Sequence, residues 1–232
     1  MTRKVNVILK KVSIHWVVLV ILGVLLLDQV LKFYIKLNHP ISSYLSPSII
    51  DWGFFRVLFV ENPGMALGTR VSDIIPIGDE DTAKLILTFF RIIVITGIGL
   101  WLFFRVIQKQ SRLLKWSVAL IFAGALGNLI DSVFYGVVFS HSYGQVAEFL
   151  PQQGYAPLFL GHVVDFIQFP LVTWVWPQWV PFLGGESYTF FQYVFNIADT
   201  AISTGVLMIL VFGKRITRVN NPPMTTEIQD ES

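Results

Sequence analysis

The residues of this 232-residue chain best placed to do chemistry are two carboxylates set in apolar runs. Asp165 stands in Gly161-His-Val-Val-Asp-Phe-Ile167, and Asp199 in Phe195-Asn-Ile-Ala-Asp199, where Asn196 and Asp199 are expected on one helical face. Two close aspartates in a poorly hydrated site cannot easily both ionise, so one proton is shared and the pair titrates as a unit. The ionised member can take a proton from water as that water attacks a carbonyl. The protonated member can polarise the carbonyl and donate to the leaving nitrogen. That is equipment for hydrolysing a peptide bond, although by spacing alone a proton-relay or transport site fits nearly as well, because carriers also hold carboxylates in their spans.

Other ionisable and polar residues stand where apolar ones are expected. Asp28 and Lys32 are one helical turn apart in Leu25-Leu-Leu-Asp-Gln-Val-Leu-Lys32, an order that suits an ion pair. Gly124-Ala-Leu-Gly-Asn-Leu-Ile-Asp131 places Gly124, Gly127 and Asp131 near one face, with Asn128 beside them. Small residues permit close helix approach, and the polar ones offer hydrogen bonds across it. Packing accounts for the glycines better than for Asp131.

The elements that must position these groups are membrane spans. The chain is 54% hydrophobic and 14% charged, and its mean hydropathy is +0.64, outside the range of a soluble domain. Four stretches reach the roughly 20 apolar residues a crossing needs, at about 12–34, 85–107, 114–135 and 192–212. Cations cluster before the first span (Arg3, Lys4, Lys10, Lys11), around the second connection (Arg105, Lys109, Arg112, Lys115) and after the last span (Lys214, Arg215, Arg218). The positive-inside rule then puts both termini in the cytoplasm and the long loops, 36–84 and 136–191, outside, which brings Asp165 and Asp199 to the same side at similar depth. The first apolar run is too long, and lacks the cleavage site, for a removable signal peptide.

Aromatic and β-branched residues running into Asn62-Pro-Gly64 predict strands in the first outer loop, and residues 70–82 read as a solvated link. Trp174, Trp176 and Trp179 suit an interfacial anchor better than a ligand box. The expected organisation is one membrane domain over 1–219, with no internal repeat, and a disordered cytoplasmic tail over 220–232. The chain has no cysteine. That removes disulfides and thiol nucleophiles, and the scattered His15, His39, His141 and His162 show no metal-ligand spacing.

In this order the motifs resemble the lipoprotein signal peptidases, the type II signal peptidases of bacteria. The matching pieces are Asp28-Gln with Lys32, Asn62-Pro-Gly-Met-Ala66, Gly124 to Asp131, Gly161 to Ile167 and Phe195-Asn-Ile-Ala-Asp-Thr-Ala-Ile202. The resemblance implies four transmembrane helices with a small outer β-rich subregion covering an Asp165–Asp199 dyad. It implies cleavage just before the lipid-modified cysteine of a prolipoprotein in the bacterial inner membrane, with the active site near the periplasmic face. Asn62, Asn128 and Asn196 would line the substrate site, with Asp28, Lys32, Gly64, Ala66, Gly127, Asp131 and Ala198 substrate-binding or supporting. No metal or organic cofactor and no nucleic acid is implied. The substrate's diacylglyceryl chains would lie in membrane lipid while its peptide enters between the helices, and a monomer is expected.

Three departures stand out. The family's third-span motif usually ends in Asp-Arg, but Ser132 follows Asp131 here. Arg91, near the outer end of the second span, is the candidate replacement cation, against the alternative that it snorkels to the head groups. Two further segments, about 133–159 and 172–190, are longer than the resemblance leads one to expect, as added surface helices or lids. Two other functional classes remain open: a proton-coupled carrier using Asp28, Asp131, Asp165 and Asp199, and a non-catalytic assembly factor whose polar residues only bind helices together.

Overall fold

The computed structural model describes residues 14–41, 48–64, 79–107 and 111–220. Ala66, the link over 70–78, the N-terminal cations up to Lys11, Lys109 and the tail beyond Asn220 lie outside the described residues. Four helices have the length and composition to cross a membrane. They are α1 (Ile14–Asn38), α2 (Glu80–Trp101, continued by a π-helical turn at Leu102–Val106), α3 (Arg112–Val138) and α4 (Ile197–Asn220). Their outward faces carry exposed Leu22, Leu26, Ile93 and Leu210, which suits contact with lipid and not with water.

Two differences from the expected spans bear on function. The first helix runs on to Asn38, which brings Lys36 into it. The fourth begins only at Ile197, so Asn196 caps the helix and does not share its face with Asp199. Residues 194–195 are strand, because the chain must pair with a sheet before it turns into the bilayer.

That sheet has four antiparallel strands in the order β1 (Ile50–Asp51), β2 (Arg56–Asn62), β3 (Val163–Gln168) and β6 (Val194–Phe195). β2 and β3 pair from Arg56–Gln168 to Asn62–Val163, with an irregularity between Val57 and Val60. The register sets Val60 opposite Asp165. A separate hairpin, β4 (Val172–Val175) with β5 (Ser187–Phe190), occupies the second extra segment.

The first extra segment contains neither an added helix nor a lid. Its residues up to Val138 lengthen α3. The rest folds back on that helix end, where Leu150, Ala156, Phe159 and Gly161 donate backbone N–H groups to the carbonyls of Val138, Gly136, Val133 and Ser132. Gly136 and Val138 are among the last four carbonyls of the helix, which lack intrahelical partners, and this coil supplies those partners.

The buried apolar residues form two clusters. One joins Val17, Ile21, Leu102, Val106, Val118 and Ala123 in the half away from the sheet. The other joins Ile35, Phe59, Tyr135, Phe139, Val164 and Phe166 beneath it. α3 and α4 approach closely because Gly124 and Gly127 have no side chains. A Cβ at Gly124 would stand 2.2 Å from the Ala198 carbonyl oxygen, and one at Gly127 would stand 2.9 Å from Asp28 Oδ2.

Candidate active site

Asp165 is carried by the middle of β3 and Asp199 by the first turn of α4, at the positive end of that helix. Asn196 joins the two. Its backbone N–H donates to Asp199 Oδ2 at 3.2 Å while its side-chain Oδ1 accepts from the Asp199 N–H at 2.9 Å. This reciprocal arrangement is a capping box built with Asn and Asp. The same Asn196 donates its amide to Asp165 Oδ1 at 2.7 Å. Asn62, at the end of β2, donates to Asp165 Oδ2 at 3.1 Å, and Asn128, from α3, donates to Asp199 Oδ1 at 2.8 Å. Three asparagines thus aim donors at two carboxylates.

Burial first, and then the charge of Asp199, push the Asp165 carboxyl up to about 7. The Asn62 amide, the Lys32 charge and the Asn196 amide pull the other way. Near neutrality Asp165 can therefore hold the shared proton.

Beneath the dyad lies a buried polar network. Lys32 Nζ is 2.8 Å from both Asp28 Oδ2 and Asp131 Oδ2 and donates to Asn128 Oδ1 at 2.9 Å. Asp28 Oδ1 accepts the Ala198 N–H at 2.9 Å, and Asp131 Oδ2 accepts the Val164 N–H at 3.2 Å. These bonds fix the start of α4 and the middle of β3, the two elements that carry the dyad. Gln29 completes the network, donating to Asp28 and Asp131 and accepting from Tyr135. Asp28, Lys32 and Asp131 are 0% exposed. Burying charges at such depth is tolerable only with every partner present.

Arg91 bridges two walls of the site. Nη1 donates to Ser132 Oγ at 3.0 Å, and Nη2 donates to the Gly64 carbonyl at 3.1 Å. Gly64 is in turn held by its own N–H on Asn62 Oδ1 at 3.0 Å. The guanidinium of Arg91 thus meets Ser132, the residue that follows Asp131.

The two carboxylates face one cavity of about 730 Å³. Its polar end holds Asn62, Gly64, Arg91, Asn128, Asp165 and Asp199, and its apolar wall descends along α2 through Val94 and Ile98 and along α4 through Ile202 and Leu207. Among the described residues, no group of three or more His, Asp or Glu side chains is arranged to hold a metal ion.

A second cluster escaped the sequence reading. Lys36 donates to Glu61 at 2.5 Å and to Ser142 Oγ at 3.0 Å, and Ser142 donates to Glu61 at 2.6 Å. It ties α1 to β2 and to the coil after α3, one residue away from Asn62. Lys36 continues the helical stripe Asp28–Lys32, and that spacing was the available signal.

Comparison with known proteins shows the family. The family model for signal peptidase (SPase) II matches residues 20–213. A lipoprotein signal peptidase of Porphyromonas gingivalis is 41% identical over 190 residues, covering 81% of this chain and 77% of that one. One of Amoebophilus asiaticus is 32% identical over 189 residues, covering 80% and 72%, and one of Syntrophus aciditrophicus 30% over 191, covering 81% and 85%. Two bacterial membrane enzymes solved by the in meso method share the fold. One has a TM-score of 0.55 at 22% identity, covering 93% of this chain and 98% of that one, and the other 0.52 at 24%, covering 88% and 95%. Matched by the family model over most of its length and 41% identical to one curated relative, the chain belongs to the signal peptidase II family, the proteases of lipoprotein processing.

Proposed function

We propose that this signal peptidase is an aspartic endopeptidase that cuts diacylglyceryl-modified prolipoproteins just before the lipidated cysteine. The observation that carries the reading is Asn196, which donates to Asp165 and to Asp199 at the polar end of a cavity that is otherwise apolar. Asp199 takes a proton from a water molecule as that water's oxygen bonds to the scissile carbonyl carbon. Asp165, protonated, donates first a hydrogen bond to the carbonyl oxygen and then its proton to the leaving nitrogen as the C–N bond breaks. Asn62, Asn128 and Asn196 hold both carboxylates in place, and Asp28, Lys32 and Asp131 hold the elements beneath them. The apolar wall between α2 and α4 suits a signal-peptide segment, while the substrate's acyl chains stay in the surrounding lipid.

Arg91 supplies the cation at the position left by Ser132 and fixes the Asn62–Gly64 turn beside the dyad. Arg105, Arg112, Lys115, Lys214 and Arg215 lie toward the helix ends away from the sheet. This arrangement supports cytoplasmic termini and a dyad near the periplasmic face of the bacterial inner membrane. A carrier finds less support, since the carboxylates of the network are tied down by backbone donors. The test is incubation of the purified protein in lipid with a diacylglyceryl-modified precursor and mass analysis of the products. A new N-terminus at the lipidated cysteine supports the reading, and an intact precursor with demonstrably folded protein overturns it.

A further inference from the structure

The hairpin β4–β5 forms no part of the four-stranded sheet and projects its tip outward. Trp179 is 81% exposed and Phe182 is fully exposed, with Val175 and Leu183 also open. The whole stretch from Leu171 to Tyr193 carries one formal charge, Glu186, and three tryptophans. The hairpin is nevertheless built: its four register pairs run from Val172–Phe190 to Val175–Ser187, Trp174 packs on Tyr188 and Trp176, and Thr173 bonds Thr189. We propose that this hairpin docks into the outer leaflet of the bilayer, with Trp179 and Phe182 embedded among phospholipids.

Three observations commit the surface to lipid. First, the turn is braced by its own backbone bonds. Trp176, Val180, Gly184, Gly185 and Glu186 donate N–H groups to carbonyls within the turn, and Pro177 and Pro181 have no N–H to satisfy. Internal pairing of this kind lowers the cost of placing a loop at the low-water interface. Second, Phe182 adopts a φ of +66°, a conformation in which a solvated turn favours Gly or Asn; a phenylalanine there is useful when its ring has an apolar medium to enter.

Third, the hairpin is continuous with the membrane belt. A ladder of rings runs Trp52–Phe55–Phe169–Phe195–Phe191–Phe190, each step between 5.3 and 6.3 Å. Phe195 precedes Asn196, the cap at which the last span begins, so the ladder lies at interfacial depth. Trp52 and Phe54 form a second exposed aromatic tip at its far end. Aromatic belts at this depth anchor membrane proteins.

Phe191, Tyr193, Val194 and Phe195, at the root of the hairpin, also line the dyad cavity. On the peptidase reading, anchoring the tip holds that wall at the level where a lipidated cysteine is presented. The insertion itself does not depend on that reading, and neither does its test.

The chain has no cysteine, so Phe182→Cys gives a single labelling site and Gln152→Cys, in the exposed coil after α3, gives the control. Each full-length variant is labelled with an environment-sensitive fluorophore and reconstituted into phosphatidylethanolamine/phosphatidylglycerol vesicles, with and without a nitroxide-bearing lipid. The expected result is several-fold stronger quenching by the lipid nitroxide at 182 than at 152, and several-fold weaker quenching by aqueous iodide. Equal iodide quenching at both positions would overturn the proposal. Protection at 182 from both quenchers would overturn it too, since it would mean a protein contact such as a second copy.

Discussion

Lys32 donates to Asn128 Oδ1 at 2.9 Å, and through the same amide group Asn128 donates to Asp199. One ammonium thus pairs with both Asp28 and Asp131 and also orients the side chain that holds a member of the dyad. Lys32→Met leaves two buried carboxylates without their cation, a loss of about 3–5 kcal/mol by comparison with other broken buried pairs. The expected outcome is a large fall in thermal stability in detergent together with loss of cleavage. An unchanged melting temperature would show that the network is not what holds α4 and β3.

Arg91 reaches Ser132 and Gly64 and therefore joins α2, α3 and the end of β2 at the dyad. Arg91→Gln is expected to lower kcat/KM by about 10- to 100-fold, the effect of losing one or two charge-assisted bonds, with the helical bundle still folded. Cleavage untouched by the substitution would end the idea that this arginine compensates for Ser132.

The pH profile of cleavage is expected to be a bell. Asp165, raised to about 7 by burial and by Asp199, must be protonated to donate, so activity falls as pH rises through about 7. On the acid side, activity falls as the pair takes up its second proton. The Asn62 amide favours the ionised form of Asp165, and Asn62→Ala is therefore expected to move the alkaline limb to higher pH. A limb that stays in place, measured as kcat/KM against pH, would remove Asp165 as the acid.

Glu61 is expected to govern stability in acid. Burial opposes its charge, but His162, Lys36 and Ser142 outweigh that and hold its carboxyl at about 2, below its ordinary 4.5. Because the folded value lies below the unfolded one, Glu61 contributes its full stability above pH 4.5 and loses it as pH falls from there toward 2. Glu61→Gln should flatten the dependence of the melting temperature on pH in that window. A wild-type melting temperature that does not change there would contradict this.

Much of this was legible in the sequence because membrane spans are long apolar runs and a polar residue inside one needs a partner. Asp28, Lys32, Asn128 and Asp131 could be picked out on that ground, and the structure brings them together. The capping role of Asn196 was not legible, because an Asn and an Asp three residues apart fit either a shared helical face or a helix start. Nor was the Lys36–Glu61–Ser142 cluster, which joins residues far apart in the chain and depends on α1 extending past Tyr34. Sequence reading found the three tryptophans of the second extra segment, but only strand pairing shows that they belong to a hairpin whose turn is braced by backbone bonds.

The central claim is that Asp165 and Asp199 together activate water. Its most direct measurement compares single-turnover cleavage of a diacylglyceryl-modified precursor by the wild type, Asp165→Asn and Asp199→Asn in the same lipid, with folding of each checked by thermal melting. The account predicts that both variants stay folded and that each loses at least about 10³-fold in rate, since each removes one of two obligatory proton-transfer groups. A folded variant that retains near wild-type cleavage would contradict it.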